Sequence, residues 1–329
     1  MIRRREFIAG LGSVAVWSLG ARAQNAGHER TVGILLPLVS NDPRAREHVR
    51  GFMISLQQMG WVEGRNIRFE TRWAGPIPND IRHHAAELLT LGPDVVLAYG
   101  SSTVGPLLQN TRTVPIVFPV MGDPIAAGFV ESLARPGGNA TGFMMYEYSM
   151  AAKWLELLKE MVPALKRAAV LRNAATPTGP ARFGIIQAVA PYLKVDVTPL
   201  NIRDDADFEP AISGFVRGPG DGLIVASSSL AVTHRRLLLG LVAQHKLPAI
   251  YSEDYFVADG GLMSYAPNTA EQFRRAAGYV DRILRGEKPG DLPVQTPVKY
   301  VLAINLGTAK AAGIEVPQSL LARADEVTQ

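Results

Sequence analysis

Short β-branched runs alternate with helical stretches along nearly the whole chain. This alternation narrows the fold more than any other feature, because it is the pattern of parallel βαβ units. The first run, Val32 to Leu36, is followed by a helix near Arg44 to Met59 that stops at Gly60. Asn66 to Trp73 leads into a helix near Asp80 to Leu91, closed by Gly92-Pro93, and then come Val95 to Tyr99, a helix from Thr103 onward, and Ile116 to Val120. After Pro136-Gly137-Gly138 the pattern restarts: helix Met150 to Val162, strand Ala168 to Arg172, helix Pro177 to Tyr192 and strand Asp196 to Asn201. Strand Leu223 to Ala226, helix Val232 to His245 and strand Ala249 to Tyr251 complete the second set. The break over 136–142 argues for an α/β protein of two doubly wound parallel-sheet lobes of similar size, not for one long sheet.

The length of 329 residues suits two such lobes. With 47% hydrophobic and 19% charged residues the chain is too apolar for a disordered one, and no apolar stretch outside the N-terminus approaches a membrane span. Arg3, Arg4 and Arg5 precede an apolar run from Phe7 to Leu19, and Ala21-Arg22-Ala23 offers small residues where a signal peptidase reads. Residues 1–23 therefore read as an export signal, cleaved after Ala23, with the mature protein in the periplasm. Arg4-Arg5-Glu6-Phe7-Ile8 resembles the twin-arginine export pattern, with Sec export as the alternative. An uncleaved anchor is the competing reading of residues 7–19, although they are short for a span.

Cleavage also decides what the basic pI of about 9.3 means. It removes four arginines and one glutamate, taking the net charge from +4 to +1. A nucleic-acid partner then has no electrostatic footprint. The absence of cysteine excludes a disulfide framework, a thiolate metal site, a cysteine nucleophile and a lipoprotein anchor.

Asp42-Pro43, Asp123-Pro124 and Thr176-Pro177 each pair an N-cap oxygen with a proline suited to the first helical position. In an open parallel sheet such helix starts lie at the carboxyl ends of strands, where ligands bind and exposed amides favour anions. Ser101-Ser102-Thr103 follows the strand ending at Tyr99-Gly100 and offers hydroxyls at another such point. Catalytic motifs fail. Gly10-Leu11-Gly12-Ser13-Val14-Ala15 mimics a dinucleotide fingerprint, but no strand precedes it, and there is neither a phosphate-loop motif nor a nucleophile elbow around the serines 227 to 229. His83 and His84, adjacent on a helix, point about 100° apart and cannot face one metal. No cofactor and no metal site is expected.

Several segments carry a family resemblance: Gly60-Trp61-Val62-Glu63-Gly64-Arg65-Asn66-Ile67, Gly122-Asp123-Pro124, Ser132 through Gly142, and Gly260-Gly261-Leu262-Met263-Ser264-Tyr265. The tail adds Ile304-Asn305-Leu306, Thr308-Ala309-Lys310-Ala311, Val316-Pro317 and Leu321 through Val327. Over 31–327 the chain resembles the tryptophan/tyrosine-type ABC transporter substrate-binding proteins. The resemblance implies the type I periplasmic binding protein fold, two lobes joined by a three-strand hinge with solute held between them. It puts the crossovers at 141–145, near 255–261 and around 295–299, so that 24–142 with 260–296 form the first lobe and 143–259 with 297–329 the second. Asn268-Thr269-Ala270-Glu271 would start the helix that returns to the first lobe.

The implied function is capture of a small solute, an amino acid or an aromatic or aliphatic carboxylate, by a monomer that delivers it to an ABC permease. In relatives that bind amino acids, first-lobe backbone and hydroxyl groups hold the carboxylate and a second-lobe acid holds the ammonium. Carried onto this chain, Ser101, Ser102 and Thr103 with the turn from Met121 to Asp123 form the carboxylate side, and Asn173, Ser228 and Ser229 end second-lobe strands. Tyr146 and Tyr251 could pack an aromatic or branched solute. Where many relatives have aromatic or basic residues after the equivalent of Ala249-Ile250-Tyr251, this chain has Ser252-Glu253-Asp254. Asp254 is the expected ammonium partner and Glu253 its rival, since strand neighbours point to opposite faces. An exported serine-dependent hydrolase and an effector-binding sensor domain are the alternatives.

Overall fold

The computed structural model describes residues 29–145, 149–173, 178–226 and 229–329. The export signal, Thr176-Pro177, Tyr146 and Ser228 lie outside these residues. In the first lobe β1 (Arg30–Leu36), β2 (Ile67–Trp73), β3 (Val95–Ala98), β4 (Ile116–Met121) and β5 (Ala140–Met144) form a wholly parallel sheet in the order β2-β1-β3-β4-β5. Its inner strands β1, β3 and β4 are apolar and buried on both faces, as covered parallel strands must be, whereas the edge strand β2 carries Arg68, Glu70 and Arg72 and is only half-buried. Val32, Ile34 and Leu36 face one way, onto α1 (Pro43–Gln58), while Leu35 faces α2 (Pro78–Thr90) and α3 (Ser101–Asn110).

The second lobe contains α4 (Met150–Met161), β6 (Arg167–Arg172), α5 (Thr178–Leu193), β7 (Asp196–Asn201), α6 (Phe208–Phe215), β8 (Asp221–Val225), α7 (Ser229–Thr233) and α8 (Arg235–Gln244). It continues through β9 (Ala249–Tyr251), the single-turn α9 (Tyr255–Ala258) and β10 (Met263–Pro267). The next helix, α10 (Thr269–Leu284), returns to the first lobe and packs with α1 through Phe273, Ala277 and Val280. The chain ends in β11 (Tyr300–Asn305), α11 (Leu306–Ala312), α12 (Gln318–Leu321) and β12 (Glu326–Thr328). The second sheet runs β12-β11-β10-β9-β8-β6-β7, parallel except for the β10–β11 pair.

Three crossings join the lobes: after β5, between Pro267 and α10, and over the residues after Gln295. The first and third run side by side, with the Gln295 amide donating to the Gly142 carbonyl at 2.9 Å and the Met144 amide to the Gln295 carbonyl at 2.8 Å. The second crossing differs from expectation. Residues 260–267, assigned by sequence to the first lobe, belong to the second sheet, where β10 is hydrogen-bonded between β9 and β11. The crossing therefore falls after Pro267, and α9 occupies the place expected for it. There Asn268 caps α10, its side-chain oxygen accepting from the Glu271 amide at 2.9 Å.

Two other local readings change. Asp42-Pro43 starts a helix, the Asp42 carboxylate accepting from the Arg44 and Ala45 amides. Asp123-Pro124 opens only a turn, because the chain reverses at Gly128, whose φ is +70°. The helix expected over 232–245 is interrupted at His234, between α7 and α8. Among the described residues no helix is long and apolar enough to cross a membrane.

Candidate functional site

Segments after the carboxyl ends of strands from the two lobes meet: Leu38 after β1, Asp42 and Arg44 at the start of α1, Tyr99 after β3 and Tyr255 after β9 line one interlobe pocket. The turn after β4 in the first lobe, and Asn173 after β6 and Ser252 to Asp254 after β9 in the second, also follow carboxyl ends of strands.

At the start of α3, Gly100 adopts φ +78° and offers no capping side chain, while its amide donates to the Val120 carbonyl at 3.0 Å. Its carbonyl receives the Thr103 and Val104 amides. No acceptor meets the Ser101 and Ser102 amides among the described residues, so these donors, with both exposed hydroxyls, stand at the positive end of the helix. The Ser101 hydroxyl reaches the Met121 sulfur at 3.1 Å. Thr103, expected beside them as a solute contact, is fully buried, and its hydroxyl donates to the Tyr99 and Gly100 carbonyls at 3.0 Å. It fastens the helix start and has no proton left for a solute. Met121 is also fully buried. Asp123 spends one oxygen on the Ile125 and Ala126 amides, at 3.0 and 2.9 Å.

The two acids after β9 separate. Glu253 is 3% exposed and lies within electrostatic reach of Tyr99 in the first lobe and of Tyr255 and Arg182 in the second. Burial, with the Glu253 carboxylate adding to it, pushes the Tyr99 and Tyr255 hydroxyls well above their usual range. Arg182 is 2% exposed in α5; burial draws its guanidinium down to about 9, the Glu253 carboxylate opposes that, and it stays protonated at neutral pH. Asp254, the acid expected to look inward, instead faces Arg44 of the first lobe at 3.5 Å, with its side chain 30% exposed. Tyr251 belongs to the lobe core: it is fully buried and stacks on Phe256 with ring centres 4.7 Å apart. Asn173 sits half-buried just beyond β6. Tyr146, Ser228 and the side chain of Ser229 lie outside the described residues.

Between the lobes a pocket is lined by Leu38, His48 and Tyr99 from the first lobe and by Val232, Arg235 and Tyr255 from the second. His48 stacks on Phe273, ring centres 5.3 Å apart, and burial holds its imidazole below the ordinary 6.5. Sequence reasoning passed over these residues. For Arg182 a signal existed: it is the lone charged residue in the apolar helix Thr178–Leu193, and a cation there must find buried company. Tyr99 and Tyr255 carried no such mark, because an aromatic at a strand end or helix start is ordinary core chemistry.

Residues 32–328 match the family model described as ABC transporter substrate binding protein. The chain is 26% identical over 266 residues to the tyrosine-binding protein of Clostridioides difficile (strain R20291), covering 81% of this chain and 76% of that one. A conserved domain protein from Vibrio cholerae O1 biovar eltor superposes with a TM-score of 0.84 at 25% identity, over 92% of this chain and 100% of that one. An ABC domain from Streptococcus pneumonia in complex with L-Trp superposes with a TM-score of 0.83 at 21% identity, over 91% and 100%. The hydrolase alternative draws no support from these comparisons.

Proposed function

Because the chain belongs to the ABC transporter substrate-binding protein family, we propose that it captures a free aromatic amino acid between its lobes and presents it to an ABC permease. The observation that carries this reading is the buried Glu253 carboxylate at the junction of the lobes, near Tyr99 and Tyr255. A solute ammonium taken out of water requires an acid partner, since burying it unpaired costs several kcal/mol. On the opposite wall the Ser101 and Ser102 amides and hydroxyls suit a carboxylate. Tyr99 and Tyr255 supply aromatic surface from both sides, and Asn173, Ser228, Ser229 and Tyr146 are the remaining candidate contacts. Two relatives, one named for tyrosine and one holding L-Trp, support the same solute class.

Closure on the solute shields each hydrogen bond from water and creates a surface that the open form lacks. Mass spectrometry of solute released from denatured protein, followed by calorimetry with L-tyrosine and L-tryptophan, tests the reading. One equivalent of aromatic amino acid is expected; silence with all the common amino acids, and none in the released material, would reject it. The leader sets the site of action: a monomer free in the periplasm, beginning at Gln24 and exported by the twin-arginine route. N-terminal sequencing reads the first point. Unchanged export of Arg4→Lys/Arg5→Lys would transfer the protein to Sec.

A further inference from the structure

Four charged side chains meet across the mouth of the interlobe pocket, and each faces its opposite on the other lobe. The start of α1 contributes Asp42 and Arg44. Arg44 Nη1 approaches Asp254 Oδ1 at 3.5 Å across 210 residues of chain, and its guanidinium lies 5.9 Å from the Tyr255 ring centre. Asp42 does two things at once: Oδ1 accepts from the Arg44 and Ala45 amides at 3.0 Å, and Oδ2 faces Arg235 Nη2 at 3.8 Å. Arg235 is held for this by its own lobe, through Asp259 and through the Val232 carbonyl at 3.3 Å. Neither interlobe pair can exist with the lobes apart.

We propose that Arg44–Asp254 and Asp42–Arg235 act together as an electrostatic latch that biases the lobes toward closure and slows escape of the solute. The cross-lobe arrangement favours this over a purely structural role. Asp254 and Arg44 form no other ion pair among the described residues, and the Asp42 carboxylate would cap α1 equally well without Arg235 beside it. The pairs are partly exposed, with side-chain exposures of 36 and 30% for Arg44 and Asp254 and 25 and 15% for Arg235 and Asp42. Salt therefore screens them: the Debye length falls from about 30 Å at 0.01 M to about 3 Å at 1 M. The latch rests on the solute-binding reading only in that the lobes open and close, and it is indifferent to which solute is bound.

The test needs no solute. The chain has no cysteine, so Arg50→Cys on α1 and Gln244→Cys on α8, both exposed, accept spin labels without competition. Pulsed electron-spin distances in the solute-free protein should show a short and a long population, the short one shrinking several-fold between about 0.01 M and 1 M salt. In Arg44→Gln and in Asp254→Asn the short population should already be depleted at low salt and should respond less to salt, the response that remains coming from Asp42–Arg235. The exchanged pair Arg44→Asp/Asp254→Arg should restore both. Melting temperatures within about 2 °C of the parent would confirm that these surface changes leave each lobe folded. Equal distributions for parent and single variants at low salt would overturn the latch, as would an exchanged pair that behaves like the singles. Neither result bears on whether an aromatic amino acid is the solute, which calorimetry reads separately.

Discussion

The adjacent acids Glu253 and Asp254 permit a sharp comparison, because one is buried and the other faces a partner at the cleft mouth. Glu253→Gln keeps shape and removes the charge from a carboxylate that is 3% exposed. If it meets the solute ammonium, the loss is that of a buried charged partner, about 2–5 kcal/mol, or roughly 30- to 5,000-fold in Kd. Asp254→Asn removes a pair whose side chains are 36 and 30% exposed, with a separation of 3.5 Å. Such pairs contribute about 0.2–1 kcal/mol, so Kd should rise less than about fivefold. Calorimetry with L-tyrosine below the melting temperature reads both. The Glu253 variant also strips Arg182 of a nearby negative charge and is expected to lower stability, so a second ligand isolates the binding effect. 3-(4-Hydroxyphenyl)propanoate, which lacks the ammonium, should bind parent and Glu253→Gln within threefold of each other. The reasoning fails if L-tyrosine binds Glu253→Gln within twofold of the parent, or if Asp254→Asn is the variant that loses 30-fold.

Other consequences are open to simpler measurements. L-Tyrosine at 100 times its Kd should stabilise the protein by about 2.7 kcal/mol, a few degrees in a thermal shift, and a flat response would count against it as the solute. Gly142→Ala should lower the urea midpoint by an amount equivalent to about 2–5 kcal/mol, because Gly142 has φ +151° and a Cβ there would lie 2.7 Å from the Phe118 nitrogen; an unchanged midpoint would refute the crowding argument. His48 lies among Asp254, Glu47, Arg44 and Asp42, and burial dominates in holding its imidazole below 6.5. The unfolded chain therefore binds the proton first, and the stability present above about pH 6.5 is lost as pH falls through the lowered value; His48→Gln should flatten that limb of a stability–pH curve.

The strands and helices were legible because periodicity and Pro/Gly punctuation are local: β7 over Asp196–Asn201 and β9 over Ala249–Tyr251 have the expected bounds. The lobe to which β10 belongs was not, since Met263–Pro267 has the same apolar character whichever sheet receives it, and its place is decided by antiparallel pairing with β11 nearly forty residues later. Asp-Pro behaved likewise. The dipeptide begins a helix at Asp42 and a turn at Asp123, and the difference lies in the residues C-terminal to it, where Gly128 reverses the chain only in the second case. The site shows the same division at finer grain. Strand alternation does not decide between Glu253 and Asp254, because both lie past β9 in the bend before α9; the choice depends on partners far away in sequence, Arg182 beside Glu253 and Arg44 beside Asp254. A charge whose partner lies in the other lobe has no local signature. Residues governing closure are thus the hardest to read from sequence, whereas Arg182, a solitary cation in an apolar helix, could have been singled out from its surroundings alone.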